Sequence, residues 1–310
     1  MVETSAASEL AAETATRIAR RRYLIGILMV IGGAICLSIA GVTLRFVERA
    51  DGWQMLFYRA IIFSATLLLW LAVRYRTRLP QAFRQIGWLG LLIAAVMGVS
   101  FVGYLLALTL TSVATAMVVL AAGPVFVALM GWAILKERVG PRTWFAIAVA
   151  SVGLIVTVVE GIGGGSLAGI LFAFLAIFTF SLMIVLLRGG RKIDMLPAAC
   201  LAGLIAAAIA ATQIDSFALT PHDFNLALIL GIVQNAGGFV LIALGTRYVP
   251  AAQVGLLGLT EPVLAILWAW LGVNEVPSLL TMIGGICVIG AVAFNAAAGL
   301  KQPHPDEAAP

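Results

Sequence analysis

The sequence predicts an all-α integral membrane protein in which ten transmembrane helices form two inverted five-helix repeats. Three observations carry this prediction. Of 310 residues, 62% are hydrophobic and 11% charged, with a mean hydropathy of +1.10, whereas soluble domains carry about 25% charged residues. Apolar runs approaching the roughly 20 residues of helix that cross a bilayer core recur along the whole chain. One apolar passage is also written twice. Ala107 to Glu137 and Ala243 to Glu275 read alike, and at one constant offset Pro124 and Val125 recur as Pro262 and Val263, Leu129 as Leu267, Trp132 as Trp270 and Glu137 as Glu275.

Each run is bounded by charges, Gly, Pro or polar clusters. The first, 23–44, follows Arg20-Arg21-Arg22 and stops at Arg45. It is too long for a signal-peptide core and lacks a convincing cleavage site, so it reads as a retained helix. The second, 53–73, lies between Asp51 and Arg74; the third, 86–107, begins after Arg84; the fourth, 113–135, runs from Ser112 to Lys136. The fifth, 143–159, follows Pro141-Arg142, and the glycine-rich stretch Gly161 to Ser166 separates it from the sixth, 167–187. The seventh, 195–213, follows Asp194, the eighth, 224–244, follows Asp223, and the ninth, 253–272, ends before Asn274-Glu275. The tenth, 278–297, follows Pro277. Residues 1–22 and 298–310 read as a disordered N-terminus and tail, 23–159 and 167–297 as the two repeats, and 160–166 as a flexible linker. The glycines of that linker follow a membrane helix and lack the strand of a nucleotide fingerprint.

Lys and Arg mark the cytoplasmic side. With the N-terminus inside, the inner face holds Arg17, Arg20 to Arg22, Arg74, Arg76, Arg78, Arg84, Lys136, Arg138, Arg142, Arg188, Arg191, Lys192, Arg247 and Lys301, while the outer loops keep Arg45 and Arg49. This asymmetry accounts for the basic composition without nucleic acid as a partner. Five helices per unit force the second unit to enter from the opposite side. The match extends to the unit starts, where Ser38, Arg45 and Asp51 recur as Ser181, Arg188 and Asp194.

A proline inside a membrane helix frees a backbone carbonyl, and an intramembrane charge is costly unless paired or hydrated. The helix-break elements are Pro124 and Pro262, and the clear intramembrane charges are Arg59 and Glu261. At 1.5 Å per residue Arg59 lies about 9 Å from the outer end of helix 2 and Glu261 about 12 Å from the inner end of helix 9, so no direct salt bridge is implied. Arg59 either snorkels or braces a helix end, or faces a cavity and attracts an anionic substrate group. Glu261 either bonds backbone opened by Pro262 or lines the pathway and binds substrate or a coupling proton. Ser100 and Tyr104 lie one turn apart on helix 3 and Gln234 and Asn235 at a similar depth on helix 8; each either links helices or lines the cavity, whereas Ser38 on helix 1, a weaker candidate, can bond its own helix and face anywhere. Glu137 and Glu275 read as local pairing or capping in preference to a gate, and Trp132 and Trp270 as interface anchors. Cys36, Cys200 and Cys287 fall in apolar helices and imply no disulfide.

These residues carry a family resemblance. Phe57-Tyr58-Arg59, the Gly123-Pro124 helix followed by Leu135-Lys136-Glu137-Arg138, and Arg247-Tyr248-Val249-Pro250-Ala251-Ala252 leading to Glu261-Pro262 resemble, in order and spacing, the ten-helix EamA-like family of the drug/metabolite transporter superfamily. The resemblance covers about residues 24–297. One departure is Cys36-Leu37-Ser38 in helix 1, where many relatives have a Trp-Gly pair. It implies secondary-active transport of a small organic metabolite, amino-acid-like compound or drug by alternating access, in a plasma membrane such as the bacterial inner membrane, with both termini cytoplasmic.

A facilitative channel or a structural membrane protein is the alternative. An enzyme is disfavoured, since the histidines are His222 and His304 and no spacing suggests a catalytic or metal site. No cofactor is expected. The expected partners are a small-molecule substrate and the lipid bilayer, with proton or ion coupling and the oligomeric state left open.

Overall fold

The structure is a computed structural model describing residues 2–136, 140–163, 167–189, 195–245, 248–249, 254 and 257–299. The expectations placed on Glu137, Arg138, Asp194, Arg247, Pro250 to Ala252 and Lys301 fall outside these residues. The helices are α1 Val2–Ser38, α2 Ala40–Arg45, α3 Gly52–Tyr75, α4 Leu79–Gln85, α5 Gly87–Leu110, α6 Val113–Ala121 and α7 Gly123–Leu135. They continue as α8 Pro141–Gly163, α9 Leu167–Gly189, α10 Met195–Ala211, α11 Pro221–Leu228, α12 Gly238–Gly245, α13 Thr260–Val273 and α14 Leu279–Gly299. A π-helical stretch, Ile229–Gly237, joins α11 to α12.

No strand occurs among the described residues. Six candidate spans are long and apolar enough to cross a bilayer, and four shorter apolar helices, Pro141–Thr157, Leu196–Ala211, Thr260–Val273 and Leu279–Phe294, make up the ten crossings.

Helix starts follow local chemistry. Asp51 and Gln54 form a capping box at α3, while the Ser112 and Thr220 side chains accept backbone N–H bonds at α6 and α11. α1 runs helically from Val2, where the sequence predicts a disordered tail; residues 6–22 are rich in Ala, Glu and Arg, all strong helix formers. α8 extends to Gly163, into the expected linker.

The packing exchanges the two halves. α5 packs on α9 while α1 packs on α12, and α3 packs on α10 while α8 packs on α14. α6 also packs on α13. Direction is read at one end of the bundle, where Glu275, beyond the C-terminus of α13, accepts the N–H of Val113 at the N-terminus of α6. The duplicated helices therefore run antiparallel. Their C-caps are the same device: Lys136 and Asn274 both adopt left-handed backbone, and their N–H groups bond the Gly131 and Ala269 carbonyls at matching positions.

Small residues permit close helix approach, which drives association in lipid. A Cβ on Gly103 of α5 would lie 2.8 Å from the Ala176 nitrogen and 2.8 Å from the Phe172 oxygen of α9, both rigid backbone. Gly103→Ala is expected to destabilise the fold by about 1–3 kcal/mol by forcing these helices apart. A lowered unfolding midpoint in detergent checks this; an unchanged one would show that the two backbones can separate.

Candidate functional site

The matched proline breaks set the centre of the bundle. α6 gives way to α7 at a turn on Ala122, and α13 begins after a turn on Leu259, placing Pro124 and Pro262 in the first turns of the second segments. Ser181 of α9 donates to the Gly123 carbonyl at the first break, at 3.4 Å. At the second break Glu261 occupies the first turn of α13, where the positive end of the helix dipole favours a carboxylate.

Arg59, Tyr104 and Glu261 converge there from α3, α5 and α13. The guanidinium of Arg59 lies over the Tyr104 ring, 5.5 Å from its centroid, and the Tyr104 hydroxyl donates to Glu261 Oε1 at 3.4 Å. One aromatic side chain thus bridges the intramembrane cation and carboxylate, filling the depth difference that helical rise predicts. Arg59 is 2% exposed, so it does not snorkel to an interface. Its Nε and Nη1 are buried without hydrogen-bond partners, as is Gln234 Oε1. An orphaned buried donor costs about 1–3 kcal/mol, more when charged, so native structures avoid such groups unless something else satisfies them.

Gln234 and Asn235, both buried, lie on the π-helical stretch. It packs on α3 through Gly231, where a Cβ would lie 3.1 Å from the Arg59 carbonyl oxygen and 2.5 Å from Ile62 Cγ2. π-helical turns are rare and often mark functional sites. No proline or glycine spacing announces this one.

Two expected site residues are drawn elsewhere. Ser100 is buried and donates to the Ala176 carbonyl at 3.0 Å, tying α5 to α9. Ser38 donates to Ile35 O at 2.7 Å and accepts from Trp268 Nε1 at 3.0 Å, closing α1 against α13. Both behave as interhelical links.

A second polar cluster lies at the end of the bundle carrying Arg45. Its Nε pairs with Glu275 Oε2 at 2.8 Å, while Nη1 and Nη2 donate to the carbonyls of Leu108 and Thr111, each at 2.7 Å. Glu275 Oε1 accepts the Val113 N–H at 2.5 Å. The cluster joins the ends of α2, α5, α6 and α13. Beside it, Asp223 accepts the N–H groups of Glu48, Arg49 and Ala50. Among the described residues no His, Cys, Asp and Glu cluster could hold a metal ion.

Antiparallel duplicated halves with charged groups between them define a multi-pass membrane protein of the transporter type. The chain belongs to the EamA-like transporter family, which it matches over residues 24–159 and 167–297. It is similar to the uncharacterized transporter YdfC of Bacillus subtilis (strain 168), 26% identical over 257 residues, 77% of this chain and 79% of that one. It is likewise similar to an S-adenosylmethionine uptake transporter of Rickettsia prowazekii (strain Madrid E), 25% identical over 280 residues, 89% of this chain and 94% of that one. A crystal structure of another protein shares the fold, with a TM-score of 0.58 and 20% identity over 92% of this chain and 99% of that one. The family and these relatives are named as transporters.

Proposed function

We propose that the protein is a secondary-active carrier of a small organic metabolite, with its substrate site at Arg59, Tyr104 and Glu261. The observation that carries this reading is the junction of opposite charges from the two repeats, in the membrane interior beside matched helix breaks. Pro124 and Pro262 mark where one half rocks against the other. The Arg45–Glu275 cluster closes one end of the bundle. The distribution of Lys and Arg supports an orientation with that end outside and both termini in the cytoplasm, and the bacterial relatives support an inner-membrane location.

Ser100 and Ser38 support the site through helix packing, and Gln234 and Asn235 tune substrate choice. Glu261 either holds a substrate group or takes the coupling proton. One relative is named for uptake of S-adenosylmethionine, which makes that compound one to try. Purified protein in liposomes tests the carrier. Saturable uptake of a metabolite, accelerated by the same metabolite preloaded inside, is expected; unsaturable conductance would make the protein a channel.

Tyr104→Phe keeps the ring under Arg59 and removes only the hydroxyl. At 3.4 Å its bond to Glu261 is at the long end of the range, so uptake is expected to fall by about 2- to 10-fold. Tyr104→Leu also removes the ring and should cost more. Equal uptake by the two variants at matched expression would take Tyr104 out of the site.

A further inference from the structure

The end of the bundle away from the Arg45–Glu275 cluster gathers cations that the central site does not use. Gly52, at the start of α3, seats on Thr109 beside that cluster, and α3 then runs 24 residues away from it. It closes on Arg74, the chain turns through Arg76-Thr77-Arg78, and α4 carries Arg84. The turn and α4 both pack against α3, so four arginines from eleven residues share one end of the fold. All four are exposed, and among the described residues none pairs with a carboxylate. The sequence supplies no counter-charge nearby, since no Asp or Glu stands between Asp51 and Glu137. Just ahead of α10, whose Leu196 packs in one core cluster with Leu71 and Tyr75, it carries Arg191 and Lys192 against the single Asp194.

Local geometry fits this patch to a phosphate at the membrane surface. The Arg74 guanidinium lies 5.1 Å from the centroid of the Trp70 ring and 5.5 Å from that of Tyr75. Aromatic contact holds the guanidinium by its face and leaves its N–H edge free to donate. Arg76 adopts φ 48°, uncommon outside glycine, where α3 ends and the chain turns into α4. Apolar surface adjoins the cations. Leu69 and Val73, one turn apart on α3, are 68% and 71% exposed, and Trp88, at the start of α5, is 76% exposed. In a bilayer such aliphatic faces meet acyl chains, while tryptophan settles at headgroup level.

From charge complementarity and this apolar flank we infer that the end of α3 binds an anionic phospholipid. Arg74, Arg76, Arg78 and Arg84 surround its phosphodiester, and its acyl chains run along Leu69 and Val73. Arginine forks match phosphate oxygens in pairs, and a basic cluster beside a membrane helix attracts anionic headgroups. The inference does not depend on the site at Glu261.

The rival reading is that these cations only orient the chain, a task that lysine performs as well as arginine. Full-length protein in neutral detergent is titrated with dioleoyl phosphatidylglycerol, dioleoyl phosphatidylcholine or soluble glycerol phosphate, and its unfolding midpoint is followed. Phosphatidylglycerol is expected to raise the midpoint at concentrations about tenfold lower than phosphatidylcholine, and glycerol phosphate to leave it unchanged. Arg74→Lys, Arg76→Lys, Arg78→Lys and Arg84→Lys combined keep the charge and the orientation, and should shrink the preference to about threefold or less. Arg74→Gln alone, which leaves three cations to orient the chain, should weaken the response to phosphatidylglycerol and not that to phosphatidylcholine. Equal responses to the two lipids overturn the inference. So does a response to glycerol phosphate that matches the lipid, which would make the patch a site for free anions. Full preference in the lysine variant would reduce the patch to its charge and overturn it as well.

Discussion

Glu261→Gln is expected to abolish transport while leaving a folded protein of lower stability. The carboxylate is the charge partner of a guanidinium that has only 2% of its surface exposed. Removing one member of a fully buried ion pair costs about 3–5 kcal/mol, because the other charge is stranded. Here the link runs through Tyr104 at 3.4 Å and Glu261 keeps partial exposure, so a loss of about 1–3 kcal/mol is expected. Uptake should fall at least a hundredfold if the carboxylate holds substrate or proton, an effect of about 2.7 kcal/mol. Loss of both stability and transport in one variant does not separate the two roles. The pair Arg59→Met with Glu261→Gln removes both charges at similar volume and should recover the unfolding midpoint without recovering uptake. Recovery of both would make the charges structural, as would normal uptake by Glu261→Gln alone.

Much of this site is legible in the sequence because membranes punish charge. Arg59 and Glu261 stand out among apolar neighbours, and Pro124 and Pro262 stand out by their repetition. Where those residues meet is not legible. Helical rise alone sets Arg59 and Glu261 at different depths, and only the structure, with Arg59 over the Tyr104 ring and the Tyr104 hydroxyl on Glu261, shows that one side chain spans the gap. The π-helical stretch is hidden for a related reason. Its residues, Ile229 to Gly237, have the composition of an ordinary membrane helix, and the wider turn emerges with the seating of Gly231 on α3.

The break between α1 and α2 at Ile39 has no proline to mark it, whereas its counterpart in α9 runs straight through Ser181. Ser38 illustrates the limit of polarity as a signal. A hydroxyl in lipid must bond something, and whether that is cargo or the Trp268 indole depends on a contact 230 residues away.

Charge pairing across the end of the bundle carries the second large effect. Arg45 uses all three guanidinium nitrogens on Glu275 and two carbonyls, and Glu275 uses both oxygens, so α2, α5, α6 and α13 are tied by two side chains. An isolated exposed ion pair is worth about 0–1 kcal/mol. This one is about one-quarter exposed, with side chains at 24% and 21%, and fixes backbone groups that are otherwise free at helix ends. Glu275→Gln strips Arg45 of its counter-charge and is expected to shift the population toward a form open at this end. An equilibrium moved by about 1.5–3 kcal/mol changes by roughly ten- to a hundredfold.

Labelling reads this shift directly. With the native cysteines replaced, a cysteine at Leu108, which is fully buried and whose carbonyl Arg45 holds, should react at least tenfold faster with a membrane-impermeant maleimide in the Glu275→Gln background. Uptake should fall as well, because a carrier needs the closed form in each cycle. Faster labelling with unchanged uptake would leave the tie as a stabilising clasp, and unchanged labelling with reduced uptake would place the role of Glu275 outside closure.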